Sequence, residues 1–143
     1  MIPIPSGLYL ADTSAIARVA DASVSRELTR LGRLGLLGTC VTVDLEVLYS
    51  ARTPTEYATT SARRVTGFVD LPLHPDIGAR AMAVQAMLAK RSQHRAAGVI
   101  DLLTAAIAEH YRAIVLHYDS DFDHIAAVTG QDTRWVVPRG SVD

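Results

Sequence analysis

The chain has 143 residues, of which 49% are hydrophobic and 20% are charged, and its formal net charge is −1 at pH 7. This composition excludes a disordered chain, and the length fits one domain spanning residues 1–143. The near-neutral charge excludes a uniformly basic nucleic-acid binder, although a local basic surface remains compatible with it. The single cysteine, Cys40, excludes an internal disulfide and a cysteine-rich zinc site.

The apolar runs of the sequence are too short to span a bilayer, and the first residues, Met1–Pro5, contain no charged leader. We therefore expect a cytoplasmic protein without a membrane partner.

The first third of the chain predicts two strands with helices between them. Leu8–Ala11 forms the first strand, and Asp12 caps a short helix that begins with Thr13 and Ser14. Gly38–Thr42 forms the second strand. The helix between these strands has an apolar stripe at Val24, Leu28 and Leu31.

The middle of the chain predicts a second run of elements. Thr42 is predicted to cap a helix that contains Glu46, which places this acid about one turn after a strand end. Thr53–Glu56 is a capping box with proline in its second place, and it starts a helix to about Val65. Phe68–Leu73 is a weak strand because Pro72 cannot donate to a ladder. A further helix follows Pro75, with Ile77, Ala81, Val84 and Leu88 on one face.

Acidic residues surround the next strand. The helical spacing of Ile100–Tyr111 places Asp101 in its first turn, where a carboxylate is favoured. Ala113–Leu116 is wholly apolar, as expected of a strand that is buried on both faces. Asp119, Asp121 and Asp123 follow it at once.

The last elements are a short helix ending near Gly130 and a final strand over Arg134–Val137. Because strands and helices alternate, we predict an α/β fold with a mainly parallel sheet and helices on both faces. Ligands bind at the carboxyl ends of such strands, so the acids can meet at one edge.

Several carboxylates at one edge raise one another's pKa values unless a cation neutralises them. All-oxygen ligation favours Mg²⁺, or Mn²⁺, over zinc. Such a site can activate water beside a phosphodiester, which predicts phosphodiester hydrolysis.

At these acids the sequence resembles the PIN domains, and more narrowly the VapC toxins of bacterial VapBC toxin–antitoxin pairs. The most specific parts of the resemblance are Val99–Ala108 and Tyr118–Asp123. It implies a PIN-like three-layer sandwich with a five-stranded sheet and a Mg²⁺- or Mn²⁺-dependent endoribonuclease. It assigns catalytic roles to five acids and metal binding to the first, third and fourth of them: Asp12, Glu46, Asp101, Asp119 and the auxiliary Asp121.

The resemblance also implies that Thr13 or Ser14 supports the first carboxylate or the water on the metal. It further implies a homodimer, a VapB-type antitoxin whose tail enters the acidic pocket, and structured RNA such as tRNA or rRNA as the substrate. The alternatives left open are a DNA-directed nuclease and a protein that binds RNA or antitoxin without turnover.

Two other acidic folds fit less well. An EF-hand beginning at Asp119 would need Gly and Glu where His124 and Gly130 stand. A receiver domain would need a lysine after its last strand, whereas the only lysine is Lys90, at a predicted helix end.

The arginines that could contact RNA phosphates form two small groups, Arg63 with Arg64 and Arg91 with Arg95. We predict that Arg63 and Arg64 lie on the outer face of their helix, while Arg91 and Arg95 lie in a loop that is either merely solvated or a phosphate-contacting rim. His117 and Tyr118 are interpreted as packing at a strand end. Trp135 is interpreted as core or dimer surface rather than a platform for bases.

Overall fold

A computed structural model describes residues 4–143 of the chain. The first three residues of the Met1–Pro5 segment therefore lie outside the described residues. The strands of the sheet pair in parallel throughout, in the spatial order β3-β2-β1-β4-β5. The winding of the chain reverses between β1 and β4, which is where sheets of this kind bind ligands. The strands are β1 (Tyr9–Ala11), β2 (Leu37–Thr39), β3 (Val69–Asp70), β4 (Ile114–His117) and β5 (Thr133–Trp135).

Helices cover the sheet and confirm the predicted α/β sandwich, with a sheet that is wholly rather than mainly parallel. Across residues 4–143, no helix is long and apolar enough to cross a membrane. The helices are α1 (Thr13–Ile16), α2 (Ala22–Arg33), α3 (Val41–Tyr49), α4 (Pro54–Gly67), α5 (Pro75–Ala89), α6 (Val99–His110) and α7 (Asp121–Thr129).

Two apolar cores lie on the two faces of the sheet. Successive strand residues point to opposite faces, so Leu10 and Val115 enter one core while Ala11 and Leu116 enter the other. Helices α3, α5, α6 and α7 close the first core, and α1 and α2 close the second. All four strand residues are fully buried, which holds β1 and β4 rigidly side by side.

The predicted helix ends are largely confirmed. The Thr53 hydroxyl accepts from the Glu56 N–H at 3.0 Å at the start of α4, and His74 Nδ1 accepts from the Asp76 N–H at 3.2 Å at the start of α5. Helix α7 ends at Gly130, whose φ of 72° is a left-handed conformation that glycine adopts without strain.

The prediction that Thr42 ends a strand and caps a helix is wrong. Strand β2 ends at Thr39, Cys40 precedes α3 without a side-chain cap, and Thr42 lies within α3. The buried Thr42 hydroxyl instead hydrogen-bonds the buried Thr104 hydroxyl of α6 at 2.8 Å. Because a buried hydroxyl needs a partner, this pair fixes α3 against α6.

Strand β1 begins one residue later than predicted and β4 is displaced by one residue, and the differences are larger in β3 and β5. Strand β3 covers two residues of the predicted Phe68–Leu73, because Pro72 has no N–H to extend the ladder. Strand β5 covers Thr133–Trp135 instead of Arg134–Val137, since its only neighbour β4 ends at His117, the partner of Trp135.

The prediction that both Arg63 and Arg64 face outward is wrong for Arg64, which is only 5% exposed. Its guanidinium donates from Nε to Asp44 Oδ1 at 2.8 Å, donates to the Thr39 hydroxyl, and lies 4.1 Å above the Phe68 ring. Neighbouring helical residues point about 100° apart, so only Arg63 reaches solvent. Arg64 therefore docks α4 onto β2 and onto α3, which carries Asp44.

Candidate metal centre

The acidic residues lie where β1 and β4 end next to each other. Asp12 follows β1 directly, and its N–H donates to the Leu116 carbonyl of β4 at 2.9 Å. Tyr118 alone separates Asp119 from the end of β4. The two strand ends are thereby held together at the point where the winding of the sheet reverses, the usual ligand crevice of open α/β sheets.

Three carboxyl groups form a compact cluster in this crevice. One oxygen each from Asp101, Asp119 and Asp121 lies within 4.8 Å of the other two. They come from the first turn of α6, the end of β4 and the start of α7. The Asp121 N–H donates to Asp119 Oδ1 at 3.0 Å, which fixes the turn that presents both acids. Three consecutive elements of the chain thus bring their oxygens to one point.

Asp12 is the most deeply buried of the predicted acids, at 3% exposure. Its Oδ2 accepts from the Ser14 N–H at 2.9 Å and from the Ser14 hydroxyl at 2.6 Å. Its Oδ1 is buried and has no donor among residues 4–143. A buried carboxylate oxygen without a donor is costly, and a bound cation would remove that cost.

Glu46 joins the same edge from α3. The Thr13 hydroxyl donates to Glu46 Oε1 at 3.0 Å, so the residue after Asp12 holds this second carboxylate in place. The charge of Glu46 in turn raises the pKa of Asp12. Three of the predicted acids therefore form the cluster, and Asp12 and Glu46 lie beside it.

Burial and mutual repulsion disfavour ionisation in this crevice. Burial is the largest cause that raises the pKa of Asp101 to about 8, and its hydrogen bond with Asp121 and the charges of Asp12 and Asp119 act in the same direction. Burial also raises the pKa of Asp119, and it raises that of Asp12 against the two hydrogen bonds from Ser14. Without a cation the carboxyl groups of this crevice therefore bind protons more readily than exposed ones, whereas a cation bound among their oxygens would favour the ionised forms.

Arg18 is a neighbour of the site that was not predicted from the sequence. Its guanidinium donates to the Ser14 carbonyl at 2.8 Å and lies 4.4 Å above the Tyr118 ring. Its charge lowers the pKa of Asp119, against the larger effect of burial. The only signal in the sequence is its position four residues after Ser14, which becomes informative once the short α1 turn is known.

His117 fixes the backbone beside the cluster. It is fully buried, and its Nδ1 accepts from the Asp119 N–H at 3.1 Å. Burial lowers the pKa of His117 to about 4, so the ring is neutral and can accept at Nδ1. The structure thus agrees with the interpretation of His117 as a residue that packs at the strand end.

The remaining predicted site residues lie around the crevice or away from it. Arg91 and Arg95 are exposed in the loop between α5 and α6 that leads to Asp101. Arg63 is exposed on α4, whereas Arg64 is buried in the ion pair described above. Only the exposed arginines are available to a ligand.

Comparisons with known proteins agree with this geometry. Residues 9–128 match the PIN domain family. The chain is 42% identical over 135 residues to Ribonuclease VapC51 of Mycobacterium tuberculosis, covering 94% of this chain and 97% of that protein, and 38% identical over 137 residues to Ribonuclease VapC18 of the same organism, covering 94% and 99%.

Solved structures show the same fold. A crystal structure of VapBC2 from Rickettsia felis, bound to a DNA fragment from their promoter, contains a chain that superposes with a TM-score of 0.74 at 13% identity and covers 90% of this chain and 98% of that one. At this identity the likeness concerns the fold, whereas the identities of 42% and 38% above concern the family. The chain therefore belongs to the VapC family of PIN-domain ribonucleases.

Proposed function

We propose that this protein is a divalent-metal-dependent endoribonuclease and the toxin of a VapBC-type pair. The observation that supports this best is the cluster of Asp101, Asp119 and Asp121 oxygens within 4.8 Å of one another, beside the unpartnered Oδ1 of Asp12. Three half-buried carboxyl groups beside the buried carboxylate of Asp12 are suited to binding a cation.

Asp12, Asp101 and Asp119 are the proposed metal ligands, with Asp121 as an auxiliary acid. Oxygen donors without histidine or cysteine favour Mg²⁺, with Mn²⁺ as an alternative. When bound, such an ion lowers the pKa of water and stabilises the charge that develops on a phosphodiester.

The other residues of the site hold and orient these groups. Ser14 fixes one oxygen of Asp12, which leaves the other for a cation. Thr13 fixes Glu46 beside the cluster, and we assign Glu46 the orientation of the attacking water.

RNA cleavage by the purified protein tests the proposal. We expect endonucleolytic cuts in structured RNA such as tRNA or rRNA with Mg²⁺, no cuts in EDTA, and recovery when Mg²⁺ or Mn²⁺ is added in excess. Cleavage of DNA alone would contradict the assignment to RNA. Tight RNA binding without cuts under any metal would contradict the assignment as an enzyme.

Ser14→Ala should reduce cleavage about tenfold or more, because partners that orient metal ligands typically contribute 10–100-fold to metal affinity or activity. The affinity for Mn²⁺, measured by calorimetry, should fall with it. Ser23→Ala is the matched control, since Ser23 makes the same pair of bonds to Asp21 at the exposed start of α2. Equal effects of both substitutions would assign Ser14 a role in folding only.

Arg91→Gln with Arg95→Gln should weaken RNA binding to a similar degree for different sequences. Both arginines are exposed in the loop before α6, so they can contact phosphates without belonging to the acidic cluster. Each lost phosphate contact should lower the logarithmic salt dependence of binding by about 0.7 to 0.9. Cleavage at saturating RNA should change little. An unchanged salt dependence would show that these arginines are only solvated.

A VapB-type antitoxin is the proposed protein partner. A surface cavity of about 320 Å³ borders Glu46 and has an apolar wall. The exposed apolar residues of this cavity are suited to binding an apolar segment of the antitoxin. A cationic tail that follows this segment would then reach the acidic crevice. The exposed apolar residues are Leu45, Tyr49 and Ile100.

Co-expression with the product of a small neighbouring gene tests this partner. We expect a stable complex that no longer cleaves RNA. The homodimer that the family resemblance implies is also a proposal, and light scattering of the purified protein tests it.

A further inference from the structure

Two guanidinium groups flank a pair of aromatic rings at the rim of the acidic crevice. Arg18 lies 4.4 Å above the ring of Tyr118, the rings of Tyr118 and Trp135 meet edge to face at 5.2 Å, and Arg139 lies 5.4 Å from the Trp135 ring. We call these four residues the cation–aromatic surface. Both aromatic residues are half-buried, and Arg139 is exposed.

Hydrogen bonds hold this surface in one arrangement. The Tyr118 hydroxyl accepts from the N–H groups of Gly140 and Val142 at 2.8 and 3.2 Å and donates to the Val142 carbonyl at 2.8 Å. These bonds fix the C-terminal turn that carries Arg139. The Trp135 indole N–H donates to Asp123 Oδ1 at 3.2 Å, which orients the second ring.

The cation–aromatic surface is continuous with the candidate metal centre. Tyr118 directly precedes Asp119, and its N–H donates at 2.9 Å to the Ser14 hydroxyl, which itself donates to Asp12. Arg18 also binds the Ser14 carbonyl. A strand lying on this surface would therefore lead directly into the carboxylate cluster.

We propose that the cation–aromatic surface holds the unpaired stretch of an RNA strand next to the bond to be cut, an inference that rests on the proposed nuclease function. The acidic crevice repels phosphate, so the strand needs positive charge close by. Guanidinium groups bind phosphates, and aromatic rings stack on unpaired bases without regard to sequence. Stacking requires splayed bases, which selects loops and ends over duplex RNA.

Trp135 is the only tryptophan of the chain, so its fluorescence reports on this surface alone. The experiment titrates the full-length protein with a single-stranded oligoribonucleotide in EDTA, where the strand stays intact. We expect saturable quenching, and weaker quenching by a duplex of the same length. Arg139→Gln should weaken binding several-fold and lower its logarithmic salt dependence by about 0.7.

Arg112→Gln is the matched control, because Arg112 is exposed at the opposite end of β4 from Asp119. If wild-type protein cleaves RNA but its fluorescence is unchanged, or if the two substitutions act equally, this inference is wrong and the nuclease function stands. If RNA quenches the fluorescence in an Arg139-dependent manner without any cleavage under added metal, the surface stands and the nuclease function fails. Quenching by a protein partner but not by RNA overturns the inference.

Discussion

Replacing Asp101 by asparagine is expected to abolish RNA cleavage while leaving the metal-free protein at least as stable as the wild type. Asp101 contributes one of the three clustered oxygens, and a bound cation supplies several kcal/mol of transition-state stabilisation. Each 1.4 kcal/mol is a factor of ten, so we expect a loss of about 1,000-fold or more. The fold should tolerate the change because asparagine is neutral at every pH, whereas folding must force a proton onto Asp101 against its ordinary pKa, since burial and three neighbouring acids oppose its charge.

The same substitution should change the pH dependence of stability. Burial and the neighbouring acids raise the pKa of Asp101 from 3.8 to about 8, so between these values the folded state binds a proton that the unfolded state has lost. The free energy of unfolding of the metal-free wild type should therefore fall as the pH rises through that window. Asp101→Asn should flatten this dependence, which thermal melts in EDTA at about pH 5 and about pH 8 would measure.

Asp132→Asn provides a matched control, because Asp132 is exposed just before β5, at the opposite edge of the sheet. It should alter neither cleavage nor the pH dependence of stability. A large destabilisation by Asp101→Asn in EDTA would contradict the account above. Asp101 would then act chiefly by stabilising the start of α6, where a favourable carboxylate contributes about 1 kcal/mol.

The position of the acids could be predicted because it depends on the order and direction of the strands more than on the exact residues at which the strands end. A short apolar segment such as Ala113–Leu116 has few alternatives to a buried strand, and in a parallel sheet its end must lie at the same edge as the end of Leu8–Ala11. Errors of one or two residues at the strand ends do not move Asp12 or Asp119 to another edge. The site is therefore less sensitive to local errors than the strands themselves.

The partners of polar side chains could not be predicted, because they depend on how elements meet. Thr42 reads equally well as a helix cap or an interior residue until α6 brings Thr104 within 2.8 Å of it. Arg18 belongs to no motif in the sequence, and its role depends on Tyr118, which is distant in sequence. The place of Trp135 in the last predicted strand favours core or dimer surface, and nothing in that pattern indicates that the ring of Tyr118 and the guanidinium of Arg139 lie against it.

Arg64→Met is expected to destabilise the protein by about 3 kcal/mol. Arg64 and Asp44 form an ion pair whose side chains are 6% and 28% exposed, so removing the guanidinium leaves a largely desolvated carboxylate without its partner. Breaking a buried pair in this way typically costs 3–5 kcal/mol, and the partial exposure of Asp44 favours the lower end. Urea unfolding should show the loss, and the melting temperature should fall by about 10 °C.

Arg63→Met is the matched control on the same helix. Arg63 is exposed, so its replacement should change stability by no more than about 0.5 kcal/mol. Equal stability of the two variants would show that Arg64 is not the residue that docks α4 onto β2.

A double variant separates the lost ion pair from lost packing. Combining Arg64→Met with Asp44→Leu removes both charges, so no carboxylate is left unpaired and part of the lost stability should return. If the two substitutions add without recovery, the cost lies in the contacts of the guanidinium with Phe68 and Thr39 rather than in the charge of Asp44. In either case the salt dependence of RNA binding should be unchanged by Arg64→Met, because a side chain buried against Asp44 cannot contact phosphate.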